Sequence, residues 1–448
     1  MSQESVKQRS AAGAFLQSAG AKLLIIGLNA ATGILTARAL APAGRGELSA
    51  MMMWYIFLAS VFSLGIPTAL TFQLRQNPEH ISELSGAAFL LSLLVSAVAG
   101  VVGFFGLPHW IPQYSPEVLL FARVFLLNTP VAVWMVLGRA ALESQGNFTA
   151  SNLSLIGPPL LTLAGLLVLL STHAFTAVNA AWCYVVSGLP SLVWLAVSLQ
   201  RTIRPRFNHL LRSVKLLLSY GVRSYGIDLC GTLSIYVDQA LVIRILRPSL
   251  MGTYVVALSL SRMLNVFHTA VVMVLFPRAV SRTPREVLEM TGRAVRMTTF
   301  ATTICGLAIM LAGPRLLVFL YGQEYRAASA ILRILVVEVI LGGATQVLSQ
   351  AFMALSRPGV ITALQAIGLL LTVPLMLVLV PRYGIAGAAL SLLLSTCIRF
   401  VFVLGSFSRF LRLPRPGLLP RRADLRFIHG VAFRRVRALQ PSVAGGGA

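Results

Sequence analysis

In a chain dominated by long apolar runs, a few ionisable and polar side chains recur at helical spacing. One run carries Lys22, Asn29, Gly33 and Thr36. Their offsets from Lys22 of 7, 11 and 14 place all four on one face of an α-helix at ~100° per residue. A later run carries Ser224, Asp228, Gly231 and Asp238, at offsets of 4, 7 and 14, again on one face, with Ile235 as the apolar exception. Ionisable groups within apolar segments are costly, so they face a wet cavity or a partner. The two stripes are therefore expected to line one cavity from opposite sides. The competing account is that small and polar residues hold helices together. The charge in each stripe favours the cavity.

Other groups lie as deep. Asp228 is 12 residues from Leu216, about 18 Å along a helix. Arg262 reaches a similar depth in the next apolar segment, with Asn265 and Thr269 on its face. An Asp228–Arg262 pair would cost less than either charge alone; otherwise Arg262 faces the cavity. Arg123, Arg223, Arg333 and Arg399 lie nearer segment ends, where long side chains can reach the interface. Glu338 sits among Val336, Val337, Val339 and Ile340. It is either a site of ion coupling or charge pairing, as Asp228 and Asp238 are, or a neutral, hydrogen-bonded structural carboxyl. His268 is a lone deep histidine, which reads as a satisfied polar residue. Cys183, Cys230, Cys305 and Cys397 are each isolated, so no metal site, disulfide framework or cofactor is expected.

The elements that must hold these groups follow from composition. The 448 residues are 57% hydrophobic and 11% charged, with a mean hydropathy of +0.82. This composition fits an all-α polytopic membrane protein. Twelve segments are long enough to cross ~30 Å of hydrocarbon, at about 13–39, 48–73, 84–107, 117–142, 151–171, 175–199, 216–245, 251–277, 292–312, 327–354, 360–381 and 384–408. The first reads as a spanning helix that also directs insertion, because no Ala-x-Ala-like cleavage site follows it. The net charge of +24, from 37 Lys and Arg against 13 Asp and Glu, could suggest nucleic acid. However, no basic stripe is interleaved with exposed aromatics, and no nucleic-acid partner is expected. The excess instead fits the positive-inside rule: with both termini cytoplasmic, inner loops carry 13 Lys and Arg and outer loops 7. In the basic tail, Leu425, Ile428, Ala432, Val436 and Leu439 share a helical face, which suits either an interfacial helix or a loosely ordered tail. Asn147-Phe148-Thr149 matches a glycosylation acceptor but falls in an expected cytoplasmic loop.

The chain also repeats itself. Leu40-Ala41-Pro42-Ala43-Gly44-Arg45-Gly46 and Leu246-Arg247-Pro248-Ser249-Leu250-Met251-Gly252 both read Leu-x-Pro-x-x-x-Gly, at an offset (246 − 40) of 206. Gly146 and Gly359 (359 − 146 = 213) and Pro67 and Pro277 (277 − 67 = 210) keep nearly the same offset. Two six-helix bundles related by internal repeat are expected. The divisions are a cytoplasmic N-terminus (1–12), an N-terminal bundle with its basic linker (13–215), a C-terminal bundle (216–408) and a basic cytoplasmic tail (409–448).

Several motifs carry a resemblance. They are Ala39 to Glu47, Phe62-Ser63-Leu64-Gly65-Ile66-Pro67-Thr68, Tyr236-Val237-Asp238-Gln239, Met251-Gly252-Thr253-Tyr254-Val255-Val256-Ala257, Tyr321-Gly322-Gln323-Glu324-Tyr325 with Ala328, and Tyr383 to Ala389. In order and spacing, over about residues 10–408, the chain resembles the lipid-linked oligosaccharide (Wzx-like) flippases of the multidrug/oligosaccharidyl-lipid/polysaccharide exporter superfamily. It departs at Gln239, where many members of that family carry Arg after the Asp.

The resemblance implies alternating access and a polyprenyl-diphosphate-linked oligosaccharide moved to the outer leaflet of the bacterial inner membrane, for exopolysaccharide, O-antigen or capsule synthesis. Lys22, Asn29, Arg262, Arg223 and Arg123 would then face phosphate and sugar, with Arg262 the leading phosphate candidate. The partners implied are the lipid-linked glycan, membrane lipids, a polysaccharide polymerase and export proteins.

Two other classes fit the sequence less well. A drug or cation antiporter would favour carboxylates and aromatics, whereas this chain has three aspartates and its spans hold more Arg than carboxyl. A membrane glycosyltransferase or polymerase usually needs a catalytic carboxylate or Asp pair, yet no Asp-x-Asp occurs. A phosphate-binding Gly-x-x-x-x-Gly-Lys-Ser/Thr loop is also missing, so neither catalysis nor ATP hydrolysis is expected.

Overall fold

The computed structural model describes residues 3–279 and 282–418. These form fourteen α-helices and no strand: α1 (Gln3–Val61), α2 (Ile66–Gln76), α3 (Ile81–Trp110), α4 (Pro116–Phe125), α5 (Thr129–Ser144), α6 (Phe148–Ser171), α7 (Ala177–Val186), α8 (Gly188–Thr202), α9 (Leu210–Ile245), α10 (Pro248–Arg262), α11 (Asn265–Ala279), α12 (Pro284–Tyr321), α13 (Ala328–Ala354) and α14 (Pro358–Ser406). An all-helical result is what apolar segments need in lipid, where each backbone amide must be bonded within its own segment. Exposed Phe105, Leu127, Leu311, Phe319 and Leu370 suit a hydrocarbon surround. Helix starts carry local chemistry: Ser115 and Asn147 accept the backbone N–H of Val118 and Ala150. Asn147 is thereby occupied as a helix cap.

Eight helices among the described residues are long and apolar enough to cross a membrane, and ten if two bent pairs are each one span. The two longest of the eight are more than twice the length one crossing needs. Gly20–Val61 has 42 residues and Gly359–Leu411 has 53, about 63 and 80 Å at 1.5 Å per residue, against ~30 Å needed. Each is broken once, at Ala41 (φ 56°, ψ 178°) and at Gly384 (φ 59°, ψ −137°). Counting each as two spans raises ten to the twelve expected.

The break at Ala41 explains the repeated Leu-x-Pro-x-x-x-Gly. Pro42 opens the second part of α1 and Pro248 opens α10, where a missing N–H costs nothing and φ is already set. Each glycine lies four residues on, over its proline on the same face. The two turns then pack reciprocally. A Cβ on Gly46 would overlap the Pro248 carbonyl, and a Cβ on Gly252 would overlap the Pro42 carbonyl. The same device recurs at Gly65 (φ 68°) and Gly221: a Cβ on the first would sit 2.5 Å from the Gly221 carbonyl oxygen, and on the second 2.8 Å from that of Leu64.

The described helices fall into two compact units. The first holds residues to Ser259 with Pro314–Ile331 and Leu369–Ser391. Its core includes Ile66, Leu70, Leu84, Leu137, Leu142 and Leu217. The second holds Leu260–Gly313, Leu332–Gly368 and the residues from Leu392. Phe352, Phe407, Val347 and Val403 are buried at its centre. The expected tail helix from Leu425 to Leu439 lies outside the described residues.

Candidate functional site

The first polar stripe lies along α1 before its break. Lys22 and Asn29 are exposed, and a Cβ on Gly33 would meet nothing within 4 Å. The last member closes the stripe: Thr36 is fully buried and donates to the Thr32 and Gly33 carbonyls at 2.8 and 3.2 Å. Beyond it, the break is tied to the end of α12 and the segment after it. Arg38 donates through Nε to the Leu320 carbonyl at 2.8 Å and through Nη2 to that of Phe319. The buried Tyr325 hydroxyl donates to the Ala37 carbonyl at 3.1 Å.

The second stripe lies along α9 and has the same form. The helix bends by 51° between Leu210–Gly226 and Asp228–Ile245, so Asp228 opens its second part. Broken spans expose backbone and polar groups where a cavity can use them. Ser224 and Asp228 are half-buried, and a Cβ on Gly231 would again meet nothing within 4 Å. At the far end Asp238 is fully buried and accepts from the Tyr254 hydroxyl at 2.9 Å. Each stripe is thus open over its first members and sealed at the end that meets the repeated turn.

Asp228 accepts a hydrogen bond from Thr68 Oγ1 at 2.8 Å. The surrounding contacts join α2 and the end of α1 to α9. Phe72 and Tyr220 stack with centroids 4.0 Å apart and planes 10° from parallel, and the Tyr225 hydroxyl donates to the Val61 carbonyl. A cavity of about 600 Å³ opens here, lined by Thr68, Thr71, Phe72, Arg75, Gln76 and Tyr220. Arg223, one turn beyond Tyr220, is exposed.

Arg123 is held elsewhere in the first unit. Its guanidinium lies 4.5 Å from the Phe104 ring centroid and donates through Nε to the Phe104 carbonyl at 3.1 Å, a cation–π arrangement. The 440 Å³ cavity beside it is lined by Leu93, Val101, Phe104, Leu126 and other mostly apolar residues.

The second unit holds Arg262 and Glu338. Arg262 is half-buried where α10 ends, three residues before α11 begins. Glu338 accepts from Thr396 Oγ1 at 2.9 Å, and Thr396 Oγ1 in turn accepts from Arg399 Nη2 at 2.7 Å. The carboxylate and guanidinium also act on one another electrostatically. A Cβ on Gly368 would overlap the Arg399 stem, and one on Gly343 would overlap the buried His268 ring, so two glycines make room for two titratable side chains.

The structure gives the local burial and bonding of several of these residues and brings others beside them. Thr68, Phe72, Arg75, Tyr220, Tyr254 and Thr396 were not singled out as site residues by sequence. Each is an ordinary residue in its own segment, and its partner is far along the chain. The four cysteines are free, and no group of three or more His, Cys, Asp or Glu among the described residues could hold a metal ion.

Solved structures of polytopic membrane proteins share this fold. The chain is similar to the structure titled "Lipid II flippase MurJ, inward closed conformation" at a TM-score of 0.76 and 14% identity, over 96% of this chain and 94% of that one. An inward-facing multidrug resistance MATE family transporter of the MOP superfamily matches at 0.68 and 16%, over 86% and 95%. A MOP superfamily transporter from Pyrococcus furiosus matches at 0.58 and 17%, over 88% and 95%. The fold is all-α and polytopic, with the two-bundle internal repeat expected of this class.

Residues 35–330, about two thirds of the chain, match the family described as "Polysaccharide biosynthesis protein", and the chain belongs to that family. A curated relative, the "Probable low-salt glycan biosynthesis flippase Agl15" of Haloferax volcanii, is 23% identical over 194 residues, 42% of this chain and 41% of the relative. The match therefore spans under half of that relative's length.

Proposed function

We propose that this chain carries a polyprenyl-diphosphate-linked oligosaccharide repeat unit from the cytoplasmic to the outer leaflet of a bacterial inner membrane, for exopolysaccharide, O-antigen or capsule synthesis. It acts by alternating access between a bundle at 13–215 and one at 216–408, with both termini cytoplasmic. It is a carrier rather than a catalyst. The glycan's isoprenoid tail stays in the bilayer while its head crosses in a wet cavity. A polysaccharide polymerase and export proteins would take the product onward.

The observation that carries this reading is the pair of open polar stripes, Lys22 to Gly33 on α1 and Ser224 to Gly231 on α9. A cavity wall needs polar side chains beside positions that leave space, and both helices provide them. Cations at Lys22, Arg223 and Arg262 suit a diphosphate, which a guanidinium or ammonium can stabilise away from bulk water. Membership of a polysaccharide biosynthesis family and similarity to a glycan biosynthesis flippase support the substrate class.

A second reading, a multidrug or cation antiporter, draws support from the MATE-like fold. The excess of Arg over carboxylate in the spans argues against a cationic substrate. A deletion strain separates the two. The flippase reading expects lipid-linked glycan to accumulate on the cytoplasmic side. Normal surface polysaccharide, with no substituting paralogue, would end it.

A further inference from the structure

We propose that the cavity between α2 and α9 is a subsite for the sugar-diphosphate head of the lipid-linked glycan. The inference rests on the function proposed above and adds to it a place and a set of groups. At about 600 Å³, the cavity lies within the range of about 300–1,000 Å³ typical of small-molecule sites. Five of its six lining side chains, Thr68, Thr71, Arg75, Gln76 and Tyr220, carry a polar atom. Two other cavities contrast with it. The 440 Å³ one beside Arg123 and a 700 Å³ one lined by Val360, Leu364, Ile398, Val401, Phe402 and their neighbours are almost wholly apolar.

The chemistry of this lining fits one ligand class. The 3.6-residue period brings Thr68, Thr71, Phe72, Arg75 and Gln76 of α2 to one face. Arg75 is exposed at the end of that helix and offers a planar fork of donors matched to phosphate oxygens. Gln76 supplies a donor and an acceptor for sugar hydroxyls, and Thr71, whose hydroxyl donates to the Pro67 carbonyl at 2.9 Å, adds an acceptor. The Phe72–Tyr220 stack supplies a rigid apolar surface for the C–H side of a pyranose, with a phenol at its rim. No carboxylate lines the cavity, and Asp228 nearby is engaged by Thr68. A site for an organic cation would pair its aromatics with a carboxylate; here the charge is a guanidinium. Arg223, three residues from Tyr220, adds a second exposed cation on the same side of α9.

The test uses the full chain in nanodiscs, titrated with inorganic pyrophosphate and with N-acetylglucosamine 1-phosphate. The same preparation is assayed in proteoliposomes for translocation of a lipid-linked glycan. Arg75→Gln is expected to weaken both soluble probes by about tenfold or more, the loss of a charge-assisted contact. Phe72→Leu and Gln76→Ala are expected to weaken the sugar phosphate and leave pyrophosphate within about twofold. Gln76 is exposed, so that variant removes no packing and reads binding rather than folding. Unchanged affinity for both probes in all three variants, with translocation by the wild-type chain intact, would overturn the subsite and leave the flippase reading standing. A wild-type chain that neither binds the probes nor moves the glycan would overturn both.

Discussion

Gly46 lies against the backbone of Pro248, so close that a single added methyl would overlap the proline carbonyl, and Gly252 lies against Pro42 in the same way. The two copies of a repeated turn are thus each other's packing partners. Small residues allow this backbone approach within a membrane, where apolar side chains alone give helices no preference for one another over lipid. Gly46→Ala or Gly252→Ala should destabilise the protein by about 1–3 kcal/mol through forced separation of the turns. The double variant should cost less than the sum, because the first substitution already opens the contact. Thermal unfolding in detergent reads both, and additive losses would contradict a shared contact.

Gly33 and Gly231 should behave in the opposite way. Neither has an atom within 4 Å of the place a Cβ would take, and both lie within helices, where alanine is favoured over glycine by about 0.8–1 kcal/mol. Gly33→Ala and Gly231→Ala should therefore leave thermal stability unchanged or raise it. Gly33→Trp and Gly231→Trp should keep the fold and reduce transport, because the ring would occupy the open stripe. Transport at wild-type rate in both tryptophan variants would remove these faces from the cavity.

The Glu338–Thr396–Arg399 chain separates a structural role from a coupling role. Arg399→Ala removes the cation acting on a half-buried carboxylate and the donor to Thr396 Oγ1, and should cost about 1–3 kcal/mol. Thr396→Val removes the bridging hydroxyl and should cost about 1–3 kcal/mol. Glu338→Gln keeps an acceptor for Thr396 and should fold. Flipping by Glu338→Gln that is unchanged across pH and proton gradient would leave Glu338 with a structural role alone.

The tie between the α1 break and the end of α12 with the segment after it has a simple test. Tyr325→Phe removes the buried hydroxyl that donates to the Ala37 carbonyl and should cost about 1–3 kcal/mol. Arg38→Gln removes an exposed guanidinium from the last carbonyls of α12. Charge at a helix C-terminus is worth about 0.3–1 kcal/mol at such a surface, so Arg38→Gln should lower the unfolding temperature less than Tyr325→Phe. The reverse order would show that the guanidinium is the main fastening.

Much of this protein follows from local pattern. Apolar runs of span length force helices, because each backbone amide must find its partner within its own segment. The spacing Lys22, Asn29, Gly33 defines a face, since the helix period is fixed. The doubled Leu-x-Pro-x-x-x-Gly shows the repeat and where new helices begin, because proline belongs at a helix start. What those local rules leave open is which segment meets which. Thr68 and Asp228 are 160 residues apart, and Thr396 and Glu338 are 58 apart. Nothing in either segment names its partner. The stack of Phe72 on Tyr220 and the cavity beside it, like the burial that seals Thr36 and Asp238 while Gly33 and Gly231 stay open, come from packing between helices. That packing depends on shape across the whole fold, and only the tertiary structure decides it.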